Sequence, residues 1–259
     1  MCEIIEFNKD TVVEDVIVAL GNFDGVHLGH QELLKRAKSL AKEHGCKCAM
    51  MTFEMDPDFL LDRRDMEGDL TRLDEKQRIL SNMGIDYIFV LDFAKICTMS
   101  PEEFYDAFLS KFKGVVCGAD YKFGHKASGN VSFLKERFDI CEVVDLLLFY
   151  NHKIGSTEIR NFLSMGNLKV VNEFLGRRYS FDAYVYELGE DTTCAIHYEC
   201  YPPRDGKYKC EYFINEYESG ECFSIIEKMV LKLVGVTGLE MHQDIRVELI
   251  EYIEESSGV

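Results

Sequence analysis

Along its first two-thirds the chain alternates short, continuous apolar runs with segments of helical period. Val16-Ile17-Val18-Ala19-Leu20 is apolar at every position and stops at Gly21, the pattern of a strand buried on both faces. Leu28 to His44 then places Leu33, Leu34, Ala37, Leu40 and Ala41 on one helical face, and Gly45 closes it. Cys48 to Phe53 predicts a second strand, Asp74 to Asn82 a helix stopped near Gly84, and Tyr87 to Leu91 a third strand. Ser100-Pro101-Glu102-Glu103 carries a helix start: a capping serine, proline at the first position and acids in the first turn. Val115-Val116-Cys117 is a further strand. This rhythm predicts an α/β fold with a parallel sheet and helices on both faces.

After Tyr179 the pattern changes to short strands at Ala183 to Glu187, Thr193 to Cys200, Lys207 to Ile214 and Arg246 to Tyr252. Glu221 to Leu233 reads as a helix. The expected division is therefore an α/β domain over residues 1–180 and a small β-rich domain over 181–259. Charge changes at the same place. The chain of 259 residues carries a net charge of −17, and residues 181–259 hold 17 acidic against 6 basic residues. Such a field repels nucleic acid and anionic membrane, so neither is an expected partner. The first residues show no basic and apolar leader pattern, and the apolar stretch from Val143 to Tyr150 is far shorter than the ~20 residues a spanning helix needs. A cytoplasmic protein is expected. Its ten cysteines include no C-x-x-C pair, and several sit inside apolar runs, so reduced, largely buried thiols are expected. Oligomeric state is not legible.

The segment with most chemistry is Gly21-Asn22-Phe23-Asp24-Gly25-Val26-His27-Leu28-Gly29-His30. A buried strand runs into a glycine-containing loop that opens a helix. In an open parallel sheet this is where ligands bind, beyond the carboxyl end of a strand. A helix start attracts anions through its amides and dipole. His27 and His30 are three apart and fall on one face of the first turn, so both imidazoles can donate to phosphate oxygens. Gly29 permits close approach of a ligand. The plain alternative is a structural turn with two exposed histidines. A metal site on the pair alone lacks further ligands.

Other segments agree with a phosphate-binding edge. Ser156 and Thr157 precede an apolar-periodic helix (Ile159, Phe162, Leu163), so one of them is expected to cap it. Arg160 follows one turn later and suits phosphate; its alternative is a solvated helix charge. Gly118 to Gly124 follows a strand, with Asp120 a candidate acceptor for a ribose hydroxyl. Tyr121 and Phe123 could pack on a ring, although aromatics beside a strand usually belong to the core.

These blocks together resemble the FAD synthetase (FMN adenylyltransferase) module of bacterial bifunctional riboflavin kinase/FAD synthetase proteins, within the H-x-G-H nucleotidyltransferase superfamily. The loop matches G-x-F-D-G-x-H-x-G-H at Gly21, Phe23, Asp24, Gly25, His27, Gly29 and His30. Leu70-Thr71 with Glu75-Lys76, Cys117 to Gly124 with Gly129, Ile154 to Arg160, and Leu175-Gly176-Arg177-Arg178-Tyr179 resemble further blocks in order. The resemblance covers about residues 14–180. It implies a Rossmann-like sheet and the reaction of FMN with ATP to give FAD and pyrophosphate, with Mg2+ expected on the triphosphate. It implies that His27 and His30 stabilise the α-phosphate and leaving group, and that Ser156, Thr157 and Arg160 hold the outer phosphates. Gly21, Asn22, Phe23, Asp24, Gly25, Gly29 and Asp120 would hold the adenosine; Phe53, Asp56, Pro57, Tyr121 and Phe123 would lie toward the flavin.

Three departures are visible. Phe53-Glu54-Met55-Asp56-Pro57 stands where the family has F-x-P-H-P, and Gly155 replaces the first serine of I-S-S-T. Residues 181–259 lack the kinase's Pro-Thr-Ala-Asn segment, so that domain resembles a reduced kinase domain without riboflavin kinase activity. Two alternatives share these residues: another H-x-G-H nucleotidyltransferase with a different acceptor phosphate, and a non-catalytic flavin-nucleotide-binding protein.

Overall fold

The computed structural model describes residues 2–54, 57, 68–145, 147–149, 152–215 and 217–253. The chain divides into two compact units, Met1–Asp65 with Leu73–Lys153, and Met66–Arg72 with Ile154–Val259.

The first unit is built on six parallel strands, β1 (Glu3–Glu6), β2 (Val16–Leu20), β3 (Lys47–Phe53), β4 (Tyr87–Leu91), β5 (Gly114–Gly118) and β6 (Cys141–Val144). Their order is β1-β4-β3-β2-β5-β6. Helices α1 (Leu28–Glu43), α2 (Leu73–Met83), α3 (Phe93–Ile96), α4 (Pro101–Ala107) and α5 (Val131–Arg137) connect them. Every residue of β2 is buried, as its unbroken apolar run requires. Val16, Val18 and Leu20 pack with Phe104, Phe108 and Leu134 on one face. Ile17 and Ala19 pack with Leu33, Leu34, Ala37 and Leu80 on the other. The α/β expectation therefore holds. Ser100 and Glu103 form the reciprocal cap anticipated for α4, with the Glu103 amide donating to Ser100 Oγ at 3.2 Å. Strand β1, Glu-Ile-Ile-Glu, is exposed at three of its four positions. It lies at the sheet's edge, and its short polar-ended pattern gave the sequence reading nothing to find.

The second unit contains α6 (Ser156–Ser164), α7 (Leu168–Leu175) and six strands: β7 (Ser180–Leu188), β8 (Thr192–Ile196), β9 (Gly206–Phe213), β10 (Ser219–Glu227), β11 (Val230–Val234) and β12 (Asp244–Ile253). The strands close into an antiparallel barrel in the order β7-β8-β11-β10-β9-β12. Ala183, Val185, Cys194, Tyr208, Cys210, Leu231, Leu233, Val247 and Leu249 are fully buried. The helix expected over Glu221 to Leu233 is instead the β10–β11 hairpin. Its turn, Lys228-Met229, takes positive φ at both residues without the glycine or asparagine that usually marks such a turn. Exposed Phe223, Ile225, Val230 and Val234 fill the outward positions, so the period-two alternation was hidden.

The compact division also differs from a boundary at residue 180. Helix α7 packs against β12, and residues 68–72 join the barrel unit although their flanks belong to the sheet. The Asp69 amide donates to Glu199 O at 2.7 Å, and Tyr201 N donates to Asp69 O at 2.9 Å. Arg72 pairs with Asp182 and Glu199, each at 3.0 Å. Gly68 has φ +81°, and a Cβ there would lie 2.4 Å from the Cys200 backbone, so this close approach needs glycine. None of the ten cysteines, all of them described, is in a disulfide. Among the described residues no helix is long and apolar enough to cross a membrane.

Tyr179 is fully buried and its hydroxyl donates to Tyr201 O at 2.5 Å. Tyr179→Phe removes the donor and leaves that carbonyl buried. The expected cost is about 1–3 kcal/mol, read as a lower urea midpoint with an unchanged slope.

Candidate active site

Strand order places the candidate site before any side chain is considered. From β2 the chain moves to β3 and β4 on one side, then crosses to β5 and β6 on the other. The reversal falls between β2 and β5, whose carboxyl ends therefore open a crevice. The turn after β2 contains Gly21 to His30, and the turn after β5 contains Asp120. Leu20 pairs with Cys117 in register, so both loops leave from one level.

The β2–α1 turn is strained and tightly held. Phe23, Gly25 and Val26 have φ of 54°, 81° and 39°; left-handed backbone is unfavourable for residues with a side chain, glycine excepted. Phe23 and Val26 are fully buried, which fixes them there. Thr52 Oγ1 donates to Asn22 O at 2.7 Å, and Gln31 Nε2 donates to Val26 O at 3.0 Å. Gly21 and Asn22 are half-buried, and Asp24 is buried at 1% exposure.

His27 is the N-cap of α1, and its Nδ1 accepts from the His30 amide at 3.3 Å. While Nδ1 accepts, the ring carries its proton on Nε2. The His27 and His30 rings stack with centroids 3.6 Å apart at 19°, and Phe23 lies 5.0 Å from His30. His27 is only 6% exposed. This is not a turn with two solvated histidines. It is a packed imidazole pair on the first turn of a 16-residue helix, where the dipole favours anions. Gly29 occupies the second position of that helix.

Beside it, Tyr121 N donates to Gly118 O at 3.0 Å and closes the β5 turn, leaving Asp120 exposed at its tip. Burial pushes the Cys117 thiol up to about 12 and raises the Tyr121 hydroxyl. Phe123 is buried, with ring centroids 5.9 Å from Phe104 and 5.5 Å from Phe133; packing accounts for it. Tyr121 stacks on Phe123 at 5.9 Å. Phe53 is half-buried against Phe93 at 5.5 Å. Pro57 is half-buried, and Asp56 lies outside the described residues.

Ser156, Thr157 and Arg160 belong to the second unit. The N-cap of α6 is Gly155, and no side chain caps it. The expectation that Ser156 or Thr157 caps this helix is therefore corrected: both are inside its first turn. A Cβ at Gly155 would meet Glu158 Oε2 at 2.8 Å, so the glycine leaves room for a carboxylate at the helix start. Arg160 is not a solvated helix charge. It is 6% exposed, donates to Gly68 O at 3.3 Å, and sits 5.3 Å from the Tyr201 ring.

Thr52 was missed by sequence reasoning. Its signal was a hydroxyl at the end of an otherwise apolar strand, 0% exposed in the structure. Lys76 is buried on α2, and a motif match is its one signal in the sequence.

A family model described as FAD synthetase matches residues 9–158. The bifunctional riboflavin kinase/FMN adenylyltransferase of Listeria monocytogenes is 36% identical over 172 residues, 63% of this chain and 54% of that protein. The protein of that name from Buchnera aphidicola subsp. Schizaphis graminum is 31% identical over 83% of this chain and 75% of its own length. A second Listeria protein, named FAD synthetase, is 31% identical over 71% of this chain and 77% of its own. A crystal structure of a Streptococcus pneumoniae protein named macrolide-efflux protein shares the fold with a TM-score of 0.88 at 25% identity, covering 98% of this chain and 100% of that one. The chain thus spans about half the length of the first Listeria relative. With its family match over more than half of its residues, the chain belongs to the FAD synthetase family.

Proposed function

We propose that this chain is an FMN adenylyltransferase, making FAD and pyrophosphate from FMN and ATP. The observation that carries the reading is the stacked His27–His30 pair, held on the first turn of α1 at the sheet's switch point. In the proposed reaction a phosphate oxygen of FMN attacks the α-phosphorus of ATP, the bond from that phosphorus to the bridging oxygen breaks, and pyrophosphate leaves. No covalent intermediate on the protein is needed. Catalysis is positioning and charge stabilisation.

The tautomer set by His30 N–H turns the His27 Nε2 proton into a donor for charge developing on the α-phosphate or the leaving oxygen. Phosphate would meet the positive end of the α1 dipole there. Gly21 to Gly25, Gly29 and Asp120 serve the adenosine in this reading. Phe53, Asp56, Pro57 and Tyr121 serve the flavin. Ser156, Thr157 and Arg160 are assigned to the outer phosphates on the strength of the sequence pattern. Mg2+ enters with ATP as part of the substrate. The barrel is assigned no kinase reaction, because its sequence lacks the Pro-Thr-Ala-Asn segment.

With FMN, ATP and Mg2+, the purified chain is expected to form FAD and pyrophosphate, and with riboflavin in place of FMN to form neither FMN nor FAD. Chromatography of the flavins checks both. Absence of FAD alongside turnover of another phosphorylated acceptor would move the reading to a different transferase, as the altered Met55-Asp56-Pro57 segment allows. Binding of flavin nucleotide without turnover would make the chain a binding protein.

His30→Ala is expected to lower kcat on the order of 10²–10³-fold with a far smaller change in ATP affinity. His27→Asn keeps a capping side chain at the start of α1 but removes the imidazole. It should hold Tm near that of the natural chain while kcat falls comparably. Steady-state kinetics beside thermal unfolding separate the two roles; an active His27→Asn protein would reduce His27 to a cap.

A further inference from the structure

Helix α2 turns Leu73, Ile79, Leu80 and Met83 onto the hydrophobic cluster that also holds Phe23 and Val26 of the histidine turn. Lys76 stands on that same inward stripe, three residues after Leu73 and four before Leu80. It is 4% exposed. A lysine at such a position is unusual unless an anion meets it. Among the described residues none does: no hydrogen bond or ion pair holds Lys76, and its stem is buried while its Nζ is not sealed from solvent. Its neighbour Glu75 is engaged by Arg78 at 2.5 Å.

The direction of the side chain follows from the fold. Gly84, Ile85 and Asp86 form the short link from α2 to Tyr87, the first residue of β4, so the carboxyl end of α2 lies at the amino edge of the parallel sheet. Eleven residues at 1.5 Å each give a helix of about 16 Å, the depth of a five-residue strand. The amino end of α2 therefore reaches the carboxyl edge, where the β2–α1 turn opens. Helical side chains slant toward the helix amino end, so the Lys76 stem, one turn into α2, leans toward that edge. Its position near the amino end of α2 also sets the ammonium against the helix dipole, a second cost that an arriving anion removes.

We propose that Lys76 is an anion-binding residue of the adenylyl-transfer site, with its ammonium taking a phosphate group of a substrate. This rests on the reaction proposed above. The shared chemistry is a phosphate oxyanion, from the polyphosphate of ATP or from the phosphate of FMN.

Calorimetric titration of the full chain with MgATP, inorganic pyrophosphate, FMN and riboflavin tests it, with Lys76→Met, Lys76→Gln and Lys76→Arg beside the natural protein. Lys76→Met keeps the apolar stem on a core stripe and is expected to unfold at an equal or higher temperature. It should bind at least one phosphate-bearing ligand about tenfold more weakly, with riboflavin affinity unchanged. Lys76→Arg should stay within about threefold of the natural chain, because it retains the charge. Weakening confined to ATP and pyrophosphate assigns the polyphosphate; weakening confined to FMN assigns the acceptor phosphate. Equal binding of all four ligands by the natural chain and Lys76→Met overturns the inference. Lys76→Gln gives the same reading if the methionine variant does not fold. Failure of the natural chain to make FAD would instead sink the proposed reaction, while these titrations still report on Lys76.

Discussion

The His30 amide donates to His27 Nδ1 over 3.3 Å, and the candidate chemistry depends on that contact. It caps a 16-residue helix, it fixes which nitrogen of His27 carries the proton, and it brings two imidazoles into a stack 3.6 Å apart. The bond forms only because the turn before it bends through three residues of positive φ. That bend is unfavourable in isolation. It persists because Phe23 and Val26 are driven into the core and because Thr52 and Gln31 fasten the carbonyls of Asn22 and Val26. Hydrophobic burial at the sheet thus sets the protonation geometry of the site.

Much of the first unit was legible because its signals are local. The unbroken run Val16 to Leu20 implied a strand covered on both sides, and both faces of β2 are in fact buried. Ser100, Pro101 and Glu103 announced a helix start that the structure completes. The decapeptide around His27 implied a loop at a strand end, and it does follow β2. What the sequence could not convey was the packing of the histidines on one another, since that depends on a left-handed backbone at Phe23 and Val26, residues that carry no such preference. The caps of α6 were misjudged for a related reason. Ser156 and Thr157 are good capping residues, yet Gly155 takes the extended position at the helix start and the hydroxyls fall inside it.

In the second unit legibility failed where apolar residues face outward. Phe223, Ile225, Val230 and Val234 masked the alternation of β10 and β11, and a turn at Lys228-Met229 offered no conventional mark. Residues 68–72 show a different limit. They follow a strand of the first unit in sequence, but Asp69 pairs with the barrel segment around Cys200. Three arginines hold the segment: Arg72 on Asp182, Arg160 on Gly68, and Arg177 on Thr71 at 2.9 Å. Long-range pairing of this kind leaves no periodic trace. It also recasts Arg160 as a buried structural cation.

The central claim is that the histidine turn directs attack at the α-phosphorus of ATP. Following label from ATP radioactive at either the α- or the γ-phosphate, with FMN as acceptor, tests this most directly. The account predicts that α-label passes into the flavin product and γ-label leaves only in pyrophosphate. Transfer of γ-label to the flavin, or its release as inorganic phosphate with α-label left on the nucleotide, would contradict it.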